Sequence, residues 1–468
     1  MLFRTLAFLL LLGPVAGPFA GAQTVTVTAT DPDYAGARIE VSIPGHPFLD
    51  EPRFTETLRC DSGGSFRMEM ELEEACMVRF RTGIYDAGLY VEPGNTYRIS
   101  LPPYRPSPYA ERISPFFQPL ALSLRVEGRP GDVNNEICRF DSLFHSLNEQ
   151  VILSRRQGRD PAVDSLRKIL DMGFPGSGNP WFEAYRRYKT GVLVLNAGRS
   201  PLAALSQAYL GPEVREDHPA YLELFGAMFR DFLIYYGRTK EGKGIRGQIN
   251  RNHNLDSLRA IVRGHPAVDN DTLADLILLQ ELPSLFYSGD YHKEAILILL
   301  DSLETDPVKA PYGRYTRQLR DKLASLVIGN LPPHFELEDA DGRPCTPECF
   351  KGKYTYLLFG TLDHYGCLME YPFLQSYQEK HDAYLNVVTI MVAADREAVD
   401  AFMERNHYSW KALFYEGQDR ILHDYMVRAF PVAYLLGPDG RLLLSPASLP
   451  SDGFEQQLFR IMRSRGEL

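Results

Sequence analysis

The sequence predicts a multidomain α+β protein, with a β-sandwich-like region in front, an all-α middle and an α/β domain at the carboxy end. Three observations predict it. Apolar and polar residues alternate with a period of two from Thr24 to about Leu101. From about Asp132 to Ile328 apolar residues recur instead at three- and four-residue spacing. Beyond Leu331 short apolar runs and amphipathic segments take turns, the pattern of strands and helices that share one sheet. At 468 residues the chain exceeds what one ordinary core supports. The expected limits are residues 1–22 for a signal peptide, then 23–104, 105–330 and 331–468.

The amino terminus comes first. Met1 to Arg4 is a short basic start, Leu6 to Leu12 a compact apolar run, and Ala20-Gly21-Ala22 an A-x-A site. That order is the layout of a secretory signal peptide cleaved after Ala22. The apolar run is too short to span a bilayer, and no later segment holds about 18 uninterrupted apolar residues. The mature protein is therefore expected to be exported, with no transmembrane span after signal removal. No cysteine follows the cleavage site, which argues against a lipid anchor there. A net charge of −10 argues against a nucleic-acid partner, which would need a basic face to neutralise phosphates.

In the front region "TVTVTAT", "ARIEVSI", "SFRMEMEL" and "CMVRFRT" alternate, and the turn clusters "DSGGS" and "EPGN" separate strands. A sandwich of about a hundred residues fits this spacing. In the middle region Ile137, Phe140, Phe144, Leu147 and Val151 make one apolar face, and similar faces recur in "WFEAYRRYKTGVLVL", "YLELFGAMFRDFLIYY" and "KEAILILLDSL". Short loops between them suggest antiparallel helix pairs. Trp181, Tyr185, Tyr235, Tyr236, Phe286 and Tyr287 either line a peptide groove or, as is more usual, fill a core. The histidines form no HExxH or comparable pair, so no metal site and no cofactor is expected.

In the last region "FELEDADGRP" reads as a strand and a turn at Asp341-Gly342, and "YTYLLFG" and "LNVVTIMVAA" as buried strands. "EYPFLQSYQEKHD" and "REAVDAFMERNH" read as helices, "VAYLLGPDGRLLLSP" as a hairpin, and "GFEQQLFRIMRS" as a closing helix. Within "LLFGTLDHYGCLMEYPFL" a strand runs into a turn, and Cys367 stands alone where a helix should begin. Cys345 and Cys349, four apart in "GRPCTPECFKGK", are a candidate local disulfide, since an exported protein meets an oxidising compartment. Cys60, Cys76 and Cys138 fall on strand or helix faces, where a buried free thiol is the default.

Residues 331–468 resemble the thioredoxin superfamily, and within it the exported TlpA/ResA-like branch of the thiol-specific antioxidant group. "LPPHFELEDADGRP", "FKGKYTYLLFG" and "RAFPVAYLLGPDG" carry the resemblance in order. The front pattern "GGSFRMEM…LYVEPGNTYRI" is similar to a small β-domain found ahead of thioredoxin-like proteins secreted by Gram-negative bacteria. The resemblance implies a thioredoxin-like carboxy-terminal domain, a cis-proline at Pro431, a place in cell-envelope thiol homeostasis, and a periplasmic location. It implies partners among envelope proteins or peptides, thiol-containing ones included.

The family's site reads Trp-Cys-x-x-Cys. On this chain Asp363 takes the tryptophan's place and His364 that of the attacking cysteine; Tyr365 and Gly366 fill the middle. Cys367 stands for the resolving cysteine, and Glu370 and Pro372 match the glutamate and proline behind it. Disulfide exchange starts with a thiolate attacking sulfur, and imidazole cannot form the mixed disulfide. Dithiol exchange is therefore expected to be lost, or reduced to single-thiol chemistry at Cys367. In that version His364 activates the thiol, because residues three apart share a helix face, and Glu370 orients the ring. The alternative is a non-catalytic peptide- or protein-binding module, in which the backbone of Phe430, held by Pro431, pairs with an extended partner strand.

Overall fold

The computed structural model describes residues 22–45, 52–108, 117–176, 178–198, 200–211, 213–286, 288–305, 310–392, 396–415 and 421–467. The expected signal peptide lies outside them, but for its last residue. Two compact units divide the chain. The first holds residues up to Pro106 and from Pro119 to Thr316, and the second holds the rest.

The first unit opens with a sandwich. β1 (Gln23–Thr30), β4 (Ser65–Leu72), β7 (Thr96–Ser100) and β9 (Arg125–Val126) form one sheet in the order β4-β1-β7-β9. β2 (Arg38–Ile43), β3 (Phe54–Arg59), β5 (Cys76–Thr82), β6 (Tyr85–Val91) and β8 (Leu120–Ser123) form the other, in the order β3-β2-β5-β6-β8. The period of two places Val25 and Val27 with Met68 and Met70 on one inner face, and Ile39, Val41, Val78 and Phe80 on the other. Register agrees with this: Val27 lies opposite Met68 on β4 and Tyr97 on β7. The expected limit at residue 104 needs correction, because β8 and β9 complete both sheets from beyond it. Runs of four and two residues are too short to show an alternation.

Helix α1 (Val133–Arg156) buries the face read from its sequence, Ile137, Phe140, Phe144, Leu147 and Val151. At its start Asn134 is buried and fixes the strand beneath. Its Oδ1 accepts from the Tyr90 amide at 2.8 Å, and its Nδ2 donates to the Tyr90 carbonyl at 2.9 Å. Helix α2 (Pro180–Ala197) is capped by Asn179, whose side chain accepts from the Trp181 and Phe182 amides. Trp181 stacks against Tyr90 (4.3 Å between ring centroids) and His218 (4.6 Å). Tyr185, Tyr236 and Phe286 are buried, so of the groove candidates these three are core; Tyr235 is exposed and Tyr287 lies outside the described residues. His218, ahead of helix α3 (Pro219–Met228), is fully buried, with Nε2 in hydrogen-bond reach (3.2 Å) of the Trp181 carbonyl.

The second unit is a mixed α/β sheet of seven strands. They are β10 (Leu337–Asp339), β11 (Pro344–Cys345), β12 (Tyr354–Gly360), β13 (Leu385–Val392), β14 (Lys411–Tyr415), β15 (Val432–Leu436) and β16 (Leu442–Ala447), in the order β11-β10-β14-β13-β12-β15-β16. β12, β13 and β14 run parallel, and β15 and β16 return antiparallel. Every residue of β12 is buried, which explains its nearly continuous apolar run, broken only by Thr355. The turn between β10 and β11 is where its residues put it: Gly342 takes a φ of 73°, and Asp339 Oδ1 accepts from the Asp341 and Arg343 amides. Helices α4 (Tyr365–His381), α5 (Arg396–Arg405) and α6 (Phe454–Ser464) complete the unit.

Candidate functional site

The site is built where β12 ends and α4 begins. His364 is the N-cap of α4, with φ −113° and ψ 119°, and it is exposed. Its carbonyl accepts from the Cys367 amide at 3.0 Å and the Leu368 amide at 3.2 Å, closing the first turn. Gly366 sits close to both His364 and Pro431. A Cβ there would lie 3.0 Å from Cε1 of His364 and 3.4 Å from Cδ of Pro431, so the imidazole and the proline ring both crowd this residue. The Phe430–Pro431 bond is cis, Phe430 is buried, and β15 starts at the next residue.

Helical periodicity decides which side chains point inward. Cys367, Glu370, Tyr371, Leu374, Tyr377 and His381 form the buried face of α4, at spacings of three and four. Tyr365, Met369 and Phe373, at spacings of four, stand on the other side and are 75%, 51% and 44% exposed; Leu368 beside them is also exposed.

Cys367 is completely buried. Burial pushes its thiol pKa up, against the Thr361 amide and the Tyr371 hydroxyl, which favour the thiolate; nearby Glu370 adds to the rise. The Tyr371 hydroxyl also donates to the Thr361 carbonyl at 3.0 Å. Glu370, itself buried, accepts from the Ser451 amide at 2.9 Å and the Ser451 hydroxyl at 2.5 Å.

The expected relay from Glu370 through His364 to Cys367 is therefore not assembled. The helix turns the sulfur and the carboxylate inward while the N-cap leaves the imidazole outside, and the carboxylate is taken by Ser451. The candidate disulfide is not formed either: Cys345 and Cys349 are free thiols, although both lie on the Thr346 backbone. His364, Gly366 and Pro431 do come together. Ser451 and Tyr371 went unread in the sequence because their partners lie 81 and 10 positions away. The Tyr365–Met369–Phe373 stripe was readable from its spacing once the helix is started at Tyr365. Among the described residues no three of His, Cys, Asp and Glu gather in a way that could hold a metal ion, and no helix is long and apolar enough to cross a membrane.

A parallel β12-β13-β14 core, an antiparallel β15-β16 return and a helix starting behind a cis-proline define a thioredoxin-type unit. The chain is 26% identical over 121 residues to the thiol-disulfide oxidoreductase ResA of Bacillus subtilis, a match that takes 25% of this chain and 66% of ResA. The carboxy-terminal unit is thus a TlpA/ResA-like thioredoxin-fold unit. Among solved structures, the thioredoxin domain of a thiol-disulfide oxidoreductase from Bacteroides vulgatus is 20% identical, covers 29% of this chain and 98% of its own, and has a TM-score of 0.27. A putative thiol:disulfide interchange protein DsbE from Chlorobium tepidum is 21% identical, with 29% and 96% covered and a TM-score of 0.26. StoA from Bacillus subtilis is 20% identical, with 27% and 98% covered and a TM-score of 0.23. No family model matches the chain.

Proposed function

We propose that this is an exported, periplasmic thioredoxin-fold protein of cell-envelope thiol homeostasis that binds partner polypeptides at the mouth of α4 and has lost dithiol exchange there. One observation carries the reading. The sulfur at the mouth is sealed inside, while Tyr365, Met369 and Phe373 stand outside on the helix that starts at His364. A nucleophile must reach a substrate sulfur, and a completely buried thiol with a raised pKa does not. Aromatic and methionine side chains on a rigid helix are instead what a binding surface offers an extended, partly apolar segment.

The test is binding of labelled, reduced and carboxymethylated α-lactalbumin, an unfolded polypeptide without free thiols, followed by fluorescence anisotropy. Covering Tyr365 and Met369 removes apolar surface worth about 2 kcal/mol together. The double substitution Tyr365→Ser and Met369→Ser should therefore weaken binding about thirtyfold. Equal affinity of the two proteins would rule the surface out. Cys367→Ser should leave the affinity of the parent protein intact.

A further inference from the structure

A second pair of thiols lies elsewhere in the same unit. Cys345 ends β11, the edge strand, where it pairs with Leu337 of β10 and is buried. The chain then turns through Thr346 into one 3-10 turn, Pro347–Phe350. In that turn the Cys349 amide donates to the Thr346 carbonyl at 3.0 Å, and the Cys349 sulfur accepts from the Thr346 amide at 3.3 Å. The turn folds Cys349 back so that both sulfurs lie on the Thr346 backbone, the Cys345 thiol donating to the Thr346 carbonyl at 3.8 Å, and the two side chains are close enough to interact. Cys349 is exposed, and the cation nearby is Lys411, whose Nζ holds Asp339 Oδ2 at 3.0 Å. Three strands separate β11 from β12, so this pair is distinct from the mouth of α4.

We propose that Cys345 and Cys349 are a redox-active dithiol that exchanges with protein disulfides, Cys349 attacking and Cys345 resolving. Neighbouring sulfurs on the backbone of one residue, Thr346, with one open to solvent and one covered, supply both halves of such a couple. Exposure of one sulfur also separates this pair from a structural disulfide, because exposed bonds are the labile ones. The electrostatics divide the roles the same way. Burial opposes ionisation of Cys349, but the Thr346 amide, the Cys345 thiol, the Thr346 hydroxyl and Lys411 outweigh it and hold its pKa below the usual thiol value. Burial, then the contact with Cys349, pushes Cys345 up to about 12.

The reaction balances as follows. Cys349, having given its proton to solvent, attacks one sulfur of the substrate disulfide; the S–S bond breaks, and the first substrate thiolate leaves and is protonated from solvent. Cys345 then attacks the Cys349 sulfur of the mixed disulfide. Its proton goes to the second departing substrate thiolate. Two electrons and two protons have passed to the substrate, and a Cys345–Cys349 disulfide remains. An external dithiol protein reverses both steps and restores the pair.

The test uses the full chain, fully reduced, and the aromatic disulfide 5,5′-dithiobis(2-nitrobenzoate) as probe. Parent protein and Cys367→Ser should each release two aromatic thiolates in rapid succession, and lose two hydrogens at Cys345–Cys349 by peptide mapping. Cys345→Ser should release one and keep the adduct on Cys349. Cys349→Ser should slow the fast phase at least about tenfold. A fast phase that survives Cys349→Ser, or a parent protein that stops at one adduct, overturns the proposal. A second measurement needs no variant: in glutathione redox buffers the pair should pass from dithiol to disulfide. A pair that stays wholly reduced or wholly oxidised across that range also overturns it.

Discussion

If a nitrogen ring at position 364 is what blocks exchange at the mouth of α4, then His364→Cys should restore it. The first turn is already formed around this residue, whose carbonyl bonds the Cys367 and Leu368 amides at 3.0 and 3.2 Å. Residues three apart across such a turn lie at about the 5.5 Å Cα separation that a disulfide bridges. A thiol placed at a helix N-cap meets unsatisfied amides and the positive end of the helix, which brings its pKa to about 7 in many such sites. At pH 7 about half of it would be thiolate, against about 3% for an ordinary thiol, a gain of about fifteenfold in attacking species. The new side chain is smaller than imidazole, so the space beside Gly366 admits it. The assay is insulin reduction, run with Cys345→Ser and Cys349→Ser in place so that no other pair contributes. That background should be silent, and addition of His364→Cys should give turnover. A bond between position 364 and Cys367 that forms yet supports no turnover would refute the reasoning, as would failure of that bond to form at any redox poise.

Other outcomes follow from the same geometry. Ser451→Ala strips the Glu370 carboxylate of its 2.5 Å hydroxyl donor in a buried setting, and should cost about 1.5–3 kcal/mol in urea unfolding of the second unit. Cys367, sealed and with a raised pKa, should be alkylated by iodoacetamide at least about a hundredfold more slowly than an exposed thiol, and His364→Ala should not change that rate. In the first unit burial lowers the pKa of His218 to about 4, against the opposing pull of the Trp181 carbonyl. The unfolded chain therefore binds this proton first as pH falls. Stability is complete above the unfolded value of about 6.5 and is lost between about 6.5 and 4, with about 2.5 kcal/mol gone at pH 4.5. Urea melts at pH 7 and 4.5 should show that loss, and His218→Phe should remove its contribution.

The legible parts of the fold were those where one local rule decides the outcome. The nearly continuous apolar run of β12 follows from burial on both faces, and the α1 face from Ile137 to Val151 follows from helical spacing. The turn at Gly342 follows from the φ only glycine takes readily. The carboxy-terminal unit could be recognised as thioredoxin-like because three motifs kept their order. What escaped depends on residues distant in the chain or on runs too short for a period. β8 and β9 lack length, and the carboxylate of Glu370 answers to Ser451 rather than to the imidazole six residues before it. Proximity of Cys345 and Cys349 was legible as a spacing. Which of the two faces solvent was not, because that is set by β11 pairing with β10 and by the turn after it.

The late arrival of β8 and β9 bears on how the protein can be cut. A fragment ending near residue 104 would lack β8 beside β6 and β9 beside β7, leaving two unprotected backbone rims in its sandwich. It would also lose the Asn134 amide that grips both backbone polar groups of Tyr90. Such a piece is expected to stick to copies of itself, so a portable amino-terminal module has to retain α1.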